Sequence, residues 1–194
     1  MIEFLEEEHI YLYDGVIIPS VSEILHFIFP NKYKNVDIKT LHKKAEYGSK
    51  VHEAIEFLEQ SKPMPDLDLN QEFSIKQYLR LKDRFNIKVQ VQEQMINYKD
   101  IYAGRFDMIA TINDVLSLCD IKTTAQLDKE YLSWQLSFYE LAFMNMYGNK
   151  FEKLYAIWLP KKGYGELVEI ERKSISELLR VLKEFEESRK EVEK

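Results

Sequence analysis

A chain of 194 residues, 45% of them hydrophobic, is long enough to bury a core of ordinary size, and nothing in its composition marks a second domain. Its formal charge of −6 argues against a protein that coats nucleic acid through bulk electrostatics, since such binders are usually basic. Its apolar runs are far too short for a bilayer span and residues 1–8 are acidic, unlike a signal peptide, so a cytoplasmic protein with no membrane partner is expected.

Residues 9–13 and 16–18 flank Asp14-Gly15, a type I′ turn signature, and predict a small N-terminal hairpin. Ser20 and Glu23 form a capping box that starts a short helix, which Pro30 stops; together these make an N-terminal unit of residues 1–30. From 40 to about 60 the pattern is helical, with Val51, Ala54, Ile55 and Leu58 on one stripe, and a second helix follows over about 70–85. The period then changes from 3.6 to 2: residues 88–98, 103–112 and 115–122 read as three strands of an antiparallel meander. A long apolar helix over about 127–147 ends at Gly148, strands follow over 151–159 and 166–170, and a capping box at Ser174 and Glu177 opens a final helix over 174–194. This order predicts one α/β domain over 1–194, with a catalytic core at 40–172 built on a central mixed β-sheet flanked by helices.

The second hairpin of the meander is the most informative segment. A two-residue turn at Asn113-Asp114 pairs Ile112 with Val115, and counting back sets Asp107 opposite Asp120 and Lys122 opposite Arg105. Two acids facing each other among Phe106, Met108, Cys119 and Ile121 are poorly solvated and repel, so a cation between them is expected, most simply a divalent metal. Lys122 lies two residues after Asp120 and therefore on the same face. Cys119, the only cysteine, reads as a small core residue.

Asp107, the Asp120-Ile121-Lys122 triplet on the next strand, and Gln135-x-x-x-Tyr139 on the following helix resemble the PD-(D/E)XK nuclease superfamily. The Gln-x-x-x-Tyr element, with Gly48-x-x-x-His52 upstream, is similar to its RecB-like exonuclease branch, and residues 19–25 resemble the opening of phage-type members. The resemblance implies a restriction-endonuclease-like core and a metal-dependent DNA nuclease, an exonuclease of recombination or repair. It implies Mg²⁺ or Mn²⁺ held by His52, Asp107, Asp120 and the Ile121 carbonyl, with Lys122 assisting the chemistry. Gln135 and Tyr139 would position DNA, and Glu93 would join or support the site. Several RecB-like relatives carry an iron–sulfur cluster on four cysteines; a chain with one cysteine cannot, which places it among the cluster-free members. A helicase, an annealing protein or further copies of the chain are the expected partners besides DNA. The alternative is a catalytically idle nucleic-acid-binding or structural subunit, against which the closely opposed acids argue, because binding alone has no need of them.

Lys43, Lys44 and Lys50 belong to a basic stretch that precedes His52 and form the candidate DNA track, with Lys161 and Lys162 as the other path. Gln135 and Tyr139, four apart, share one helical face, as do Gly48 and His52. Tyr47, Tyr102 and Tyr164 are candidates for stacking on unpaired bases, whereas Tyr131, Trp134, Phe138 and Phe143 are expected in the core.

Overall fold

A computed structural model describes residues 1–6, 8 and 10–192. His9 of the expected first hairpin and residues 193 and 194 of the expected last helix lie outside the described residues.

Strands β1 (Ile2–Leu5), β2 (Ile10–Tyr13) and β3 (Val16–Ile18) make a small antiparallel sheet. Asp14 and Gly15 take φ of 49° and 80°, the two positive values that a type I′ turn requires. β1 was not among the expected elements. Its four residues carry too little alternation to stand out before an acidic run, and it forms because β2 supplies partners, with Phe4 and Tyr11 packing ring on ring at 4.6 Å. Ser20 caps helix α1 (Val21–Ile28) in a reciprocal capping box with Glu23. Asp37 caps helix α2 (Ile38–Glu59), starting it two residues before the expected position at 40. Helix α3 (Leu69–Arg84) is capped by Asp68, again reciprocally with Gln71.

The main sheet has five strands in chain order: β4 (Lys88–Tyr98), β5 (Tyr102–Ile112), β6 (Val115–Lys122), β7 (Lys153–Trp158) and β8 (Glu166–Glu169). All neighbours are antiparallel except β6 and β7, which are parallel and joined through helix α4 (Lys129–Tyr147). A parallel pair needs such a crossover, whereas the antiparallel pairs need only tight turns. Asn113 and Asp114, at φ 48° and 65°, make the second type I′ turn, and Gly148 ends α4 in the left-handed conformation. Helix α5 (Ile175–Val192) closes the chain.

The fold is thus mixed α/β, with a five-stranded mixed sheet flanked by helices. One face of the sheet packs against α1, α4 and α5 through residues such as Leu25, Phe138, Leu118 and Leu182, all nearly inaccessible. The other face packs against α2 and α3 through Val51, Ile55, Tyr78, Met108 and Cys119. Cys119, Trp134 and Phe138 are core residues as expected; Tyr102, expected to be free for stacking, is instead fully buried with its hydroxyl donating to the Phe138 carbonyl and is closed to any base. Among the described residues no helix is long and apolar enough to cross a membrane.

Candidate metal centre

The site forms where the meander stops being regular. The β5–β6 ladder runs from Ile112↔Val115 to Met108↔Cys119 and ends there. In β4–β5, the partners Gln92↔Met108 and Gln94↔Phe106 leave Glu93 and Asp107 between them without a ladder pairing. Glu93 sits at φ 48°, a left-handed conformation that costs a non-glycine residue on the order of 1–3 kcal/mol and is held only when its surroundings dictate it. Alternation breaks at the same level. Phe106 lies in the core shared with α4, whereas Met108, two residues on, lies in the core shared with α2 and α3.

The expected ladder pairs Asp107–Asp120 and Arg105–Lys122 therefore do not form. Where the strands separate, the peptide N–H and carbonyl of Ile121 lose their β5 partners, and side chains replace them. Asp107 Oδ2 accepts from the Ile121 N–H at 2.6 Å, and His52 Nε2 meets the Ile121 carbonyl at 3.0 Å. Arg105 pairs with Met95 on β4, and its Nε lies 3.1 Å from Glu93 Oε2. Lys122 pairs with Trp158 on β7, with its ammonium on Asp120.

A carbonyl only accepts, so Nε2 of His52 is the donor to Ile121, and Nδ1 faces Asp107 Oδ2, 3.6 Å away. Single ligand atoms of His52, Glu93 and Asp107 all lie within 4.8 Å of one another, the one such group among the described residues. Glu93, expected in or beside the site, belongs to this group. Burial, with Asp107 adding its charge, pushes the Glu93 carboxyl up to about 7, Arg105 opposing the rise. One imidazole nitrogen and two carboxylates suit Mg²⁺ or Mn²⁺, with the nitrogen favouring Mn²⁺.

Asp120 stands beside this group. It is 1% exposed, its Oδ2 is 2.6 Å from Lys122 Nζ, and neither of its oxygens accepts a well-aligned hydrogen bond. Burial raises its pKa; Lys122 opposes this and Asp107 adds to it. Burial alone would lower the lysine, but the two acids hold it charged. Lys122 balances the charge of this buried carboxylate, which borders the His52, Glu93 and Asp107 group. The residues present fit a divalent cation.

Gln135 and Tyr139 share a face of α4, and the Gln135 amide approaches the Tyr139 hydroxyl at 3.5 Å. Tyr139 is 6% exposed, and its ring lies over Gly104, where a Cβ would meet Cε1 at 2.6 Å. The glycine is required by that close approach. Of the expected DNA track, Lys43 and Lys44 are exposed and Lys50 is tied to Glu46 at 3.6 Å. The structure brings Lys44 together with Lys161 and Lys162, which the sequence separates into two paths. Thr123, next to Lys122, lies against Gly48, where a Cβ would stand 3.5 Å from Oγ1.

No family model matches the chain, and no curated protein matches it. Among solved structures, one described as "Crystal structure of SSO0001" is similar over 84% of this chain and 72% of its own, with 18% identity and a TM-score of 0.46.

Proposed function

We propose that the chain is a divalent-metal-dependent DNA nuclease of the RecB-like type, built on a restriction-endonuclease-like core and cutting as an exonuclease in recombination or repair. The observation that carries this reading is the convergence of His52, Glu93 and Asp107 beside the buried Asp120–Lys122 pair, at the point where β5 and β6 part. His52 Nδ1, Glu93 and Asp107 would hold Mg²⁺ or Mn²⁺, with Asp120 and the Ile121 carbonyl bordering it. When bound, the cation activates water and offsets charge on the scissile phosphate.

The remaining duties fall to the chain itself. Lys122, held charged by Asp120, presents an ammonium toward the charge that develops on the phosphate. Asp107 orients the Ile121 peptide and fixes the direction of β6 at the site. Gln135 and Tyr139 close the α4 side, where amide and phenol can hold a phosphate oxygen. The test is cleavage of end-labelled linear, circular and single-stranded DNA with Mg²⁺, Mn²⁺ or EDTA. Metal-dependent release of nucleotides from ends is expected. Binding to DNA with no cleavage under any metal would leave the idle-subunit reading.

A further inference from the structure

A cavity of about 420 Å³ opens directly beyond the site, between α2 and the segments that follow β6 and β7. Its floor begins at Thr123 and Thr124, the residues next after Lys122, so it starts within one or two residues of the proposed chemistry. Three lysines line it: Lys44 from α2, and Lys161 and Lys162 from the β7–β8 turn. None of the three has a carboxylate partner among the described residues. Lys161 instead lies 3.5 Å over the ring of Tyr47. Tyr47 is itself fixed, its hydroxyl within 2.9 Å of the Asn70 carbonyl and the Ser74 hydroxyl.

The three lysines are exposed and make the rim of the cavity positive, which suits an anion, and the rest of the lining says which kind. Tyr47, Ala125 and Pro160 give the pocket an apolar wall, and the Thr123 hydroxyl makes no hydrogen bond among the described residues. A bare anion has no use for such a wall, whereas a nucleotide has both a phosphate and an apolar base face. The volume falls within the roughly 300–1,000 Å³ of small-ligand pockets, so one nucleotide can enter and a base pair within a duplex cannot. We propose that this cavity holds one unpaired nucleotide beside the scissile phosphate, so that the substrate strand reaches the site single-stranded. The inference rests on the nuclease reading above and adds the form of its substrate.

The experiment measures binding without chemistry: fluorescence anisotropy of a labelled oligothymidylate and of a blunt duplex, in EDTA, over a range of salt. The parent should bind the oligothymidylate more tightly than the duplex, and thymidine monophosphate should displace it at lower concentration than inorganic phosphate. Lys44→Ala with Lys161→Ala should weaken oligothymidylate binding about tenfold or more. Its salt slope should drop by about 1.4, from roughly 0.7 for each single-strand phosphate contact removed. Replacing the same two positions by Arg should restore affinity. Equal losses for duplex and single strand, an unchanged salt slope, phosphate competing as well as the nucleotide, or no binding by the parent would each overturn the proposal. Cleavage of the same oligonucleotide with Mn²⁺ is scored separately. Binding that depends on the lysines without any cleavage keeps the pocket and removes the nuclease; cleavage indifferent to the lysines does the reverse.

Discussion

The β5–β6 hairpin is two structures joined at Met108↔Cys119. Toward the turn, Ile109↔Leu118 through Ile112↔Val115 pair without interruption, and Ala110, Ile112 and Leu118 are buried on alternate faces. Away from the turn the strands part, and carboxylates and an imidazole take the backbone groups a ladder would have used. The closed half is mostly apolar, its backbone groups pair with each other and its buried Ser117 hydroxyl donates to the Val115 carbonyl, so it has little to offer a ligand. The open half is held by the closed one and by α2 and α4, and can therefore keep acids in positions that the hairpin alone would reject. Rigid pairing on one side sustains polar convergence on the other.

Substitutions in the two halves should separate completely. Asp107→Ala removes a member of the ligand group and the acceptor for Ile121, and should lower Mn²⁺ affinity measured by calorimetry, and cleavage, by about 100-fold or more. Leu118→Ala in the closed half should cost about 2–5 kcal/mol in denaturant unfolding while the folded fraction keeps its Mn²⁺ affinity. Similar metal affinity in both variants would erase the distinction between the halves.

Much of this was legible in sequence, and the reason divides along the same line. The turn at Asn113-Asp114 fixed the register of the closed half, and period-2 spacing placed Asp120 and Lys122 together because two residues on a strand share a face whether or not the strand is paired. His52 was named by the resemblance alone, since a lone helical histidine says little by itself, and α2 carries it to the site. What could not be read was the separation of the strands. Nothing in Gln92-Glu93-Gln94 announces a left-handed backbone, which usually announces itself with Gly or Asn, so the kink emerged only from the fold, although the resemblance already set Glu93 in or beside the site. Counting alternate residues through Asp107 then gave a pairing that the kink prevents. The lysine pocket escaped for another reason: Lys44 and Lys161 are far apart in the chain and only the packing of α2 beside the segment after β7 unites them.

Lys122→Met isolates the buried pair. Removing the ammonium leaves Asp120 buried without a counterion, at a cost of about 3–5 kcal/mol in chemical denaturation. Adding Asp120→Asn should recover a good part of that stability while cleavage stays lost, because the lysine serves the reaction and the aspartate holds the lysine. If the double variant is no more stable than the single, the pair is not what holds this corner. Gly104→Ala probes the α4 side. Its Cβ would press on Tyr139 Cε1 at 2.6 Å and Val21 Cγ2 at 3.1 Å, and the ring has little room to move, so a loss of about 1–3 kcal/mol is expected in thermal unfolding. Tyr139→Ala in the same background should relieve part of that loss; full additivity would mean that the two residues do not collide.

The smallest effect expected is also the most specific to the open half. Glu93 titrates up to about 7 in the folded, metal-free protein because it is buried next to Asp107, against an ordinary value of 4.5. Below 4.5 both folded and unfolded chains hold its proton; between 4.5 and about 7 only the folded chain does. Its contribution to stability is therefore fully present below 4.5 and is lost as the pH rises through about 7, the opposite of the usual paired carboxylate. Since the side chain is 26% exposed and solvent screens it, the loss should be about 1–2 kcal/mol, short of the full shift. The closed half has no titrating group within its ladder, so variants there should leave this slope unchanged. Glu93→Gln should flatten it, and thermal melts in EDTA across that pH range read the difference directly. If the parent and the Glu93→Gln variant instead lose stability in parallel between 4.5 and about 7, the proton is bound elsewhere and Glu93 is an ordinary exposed acid.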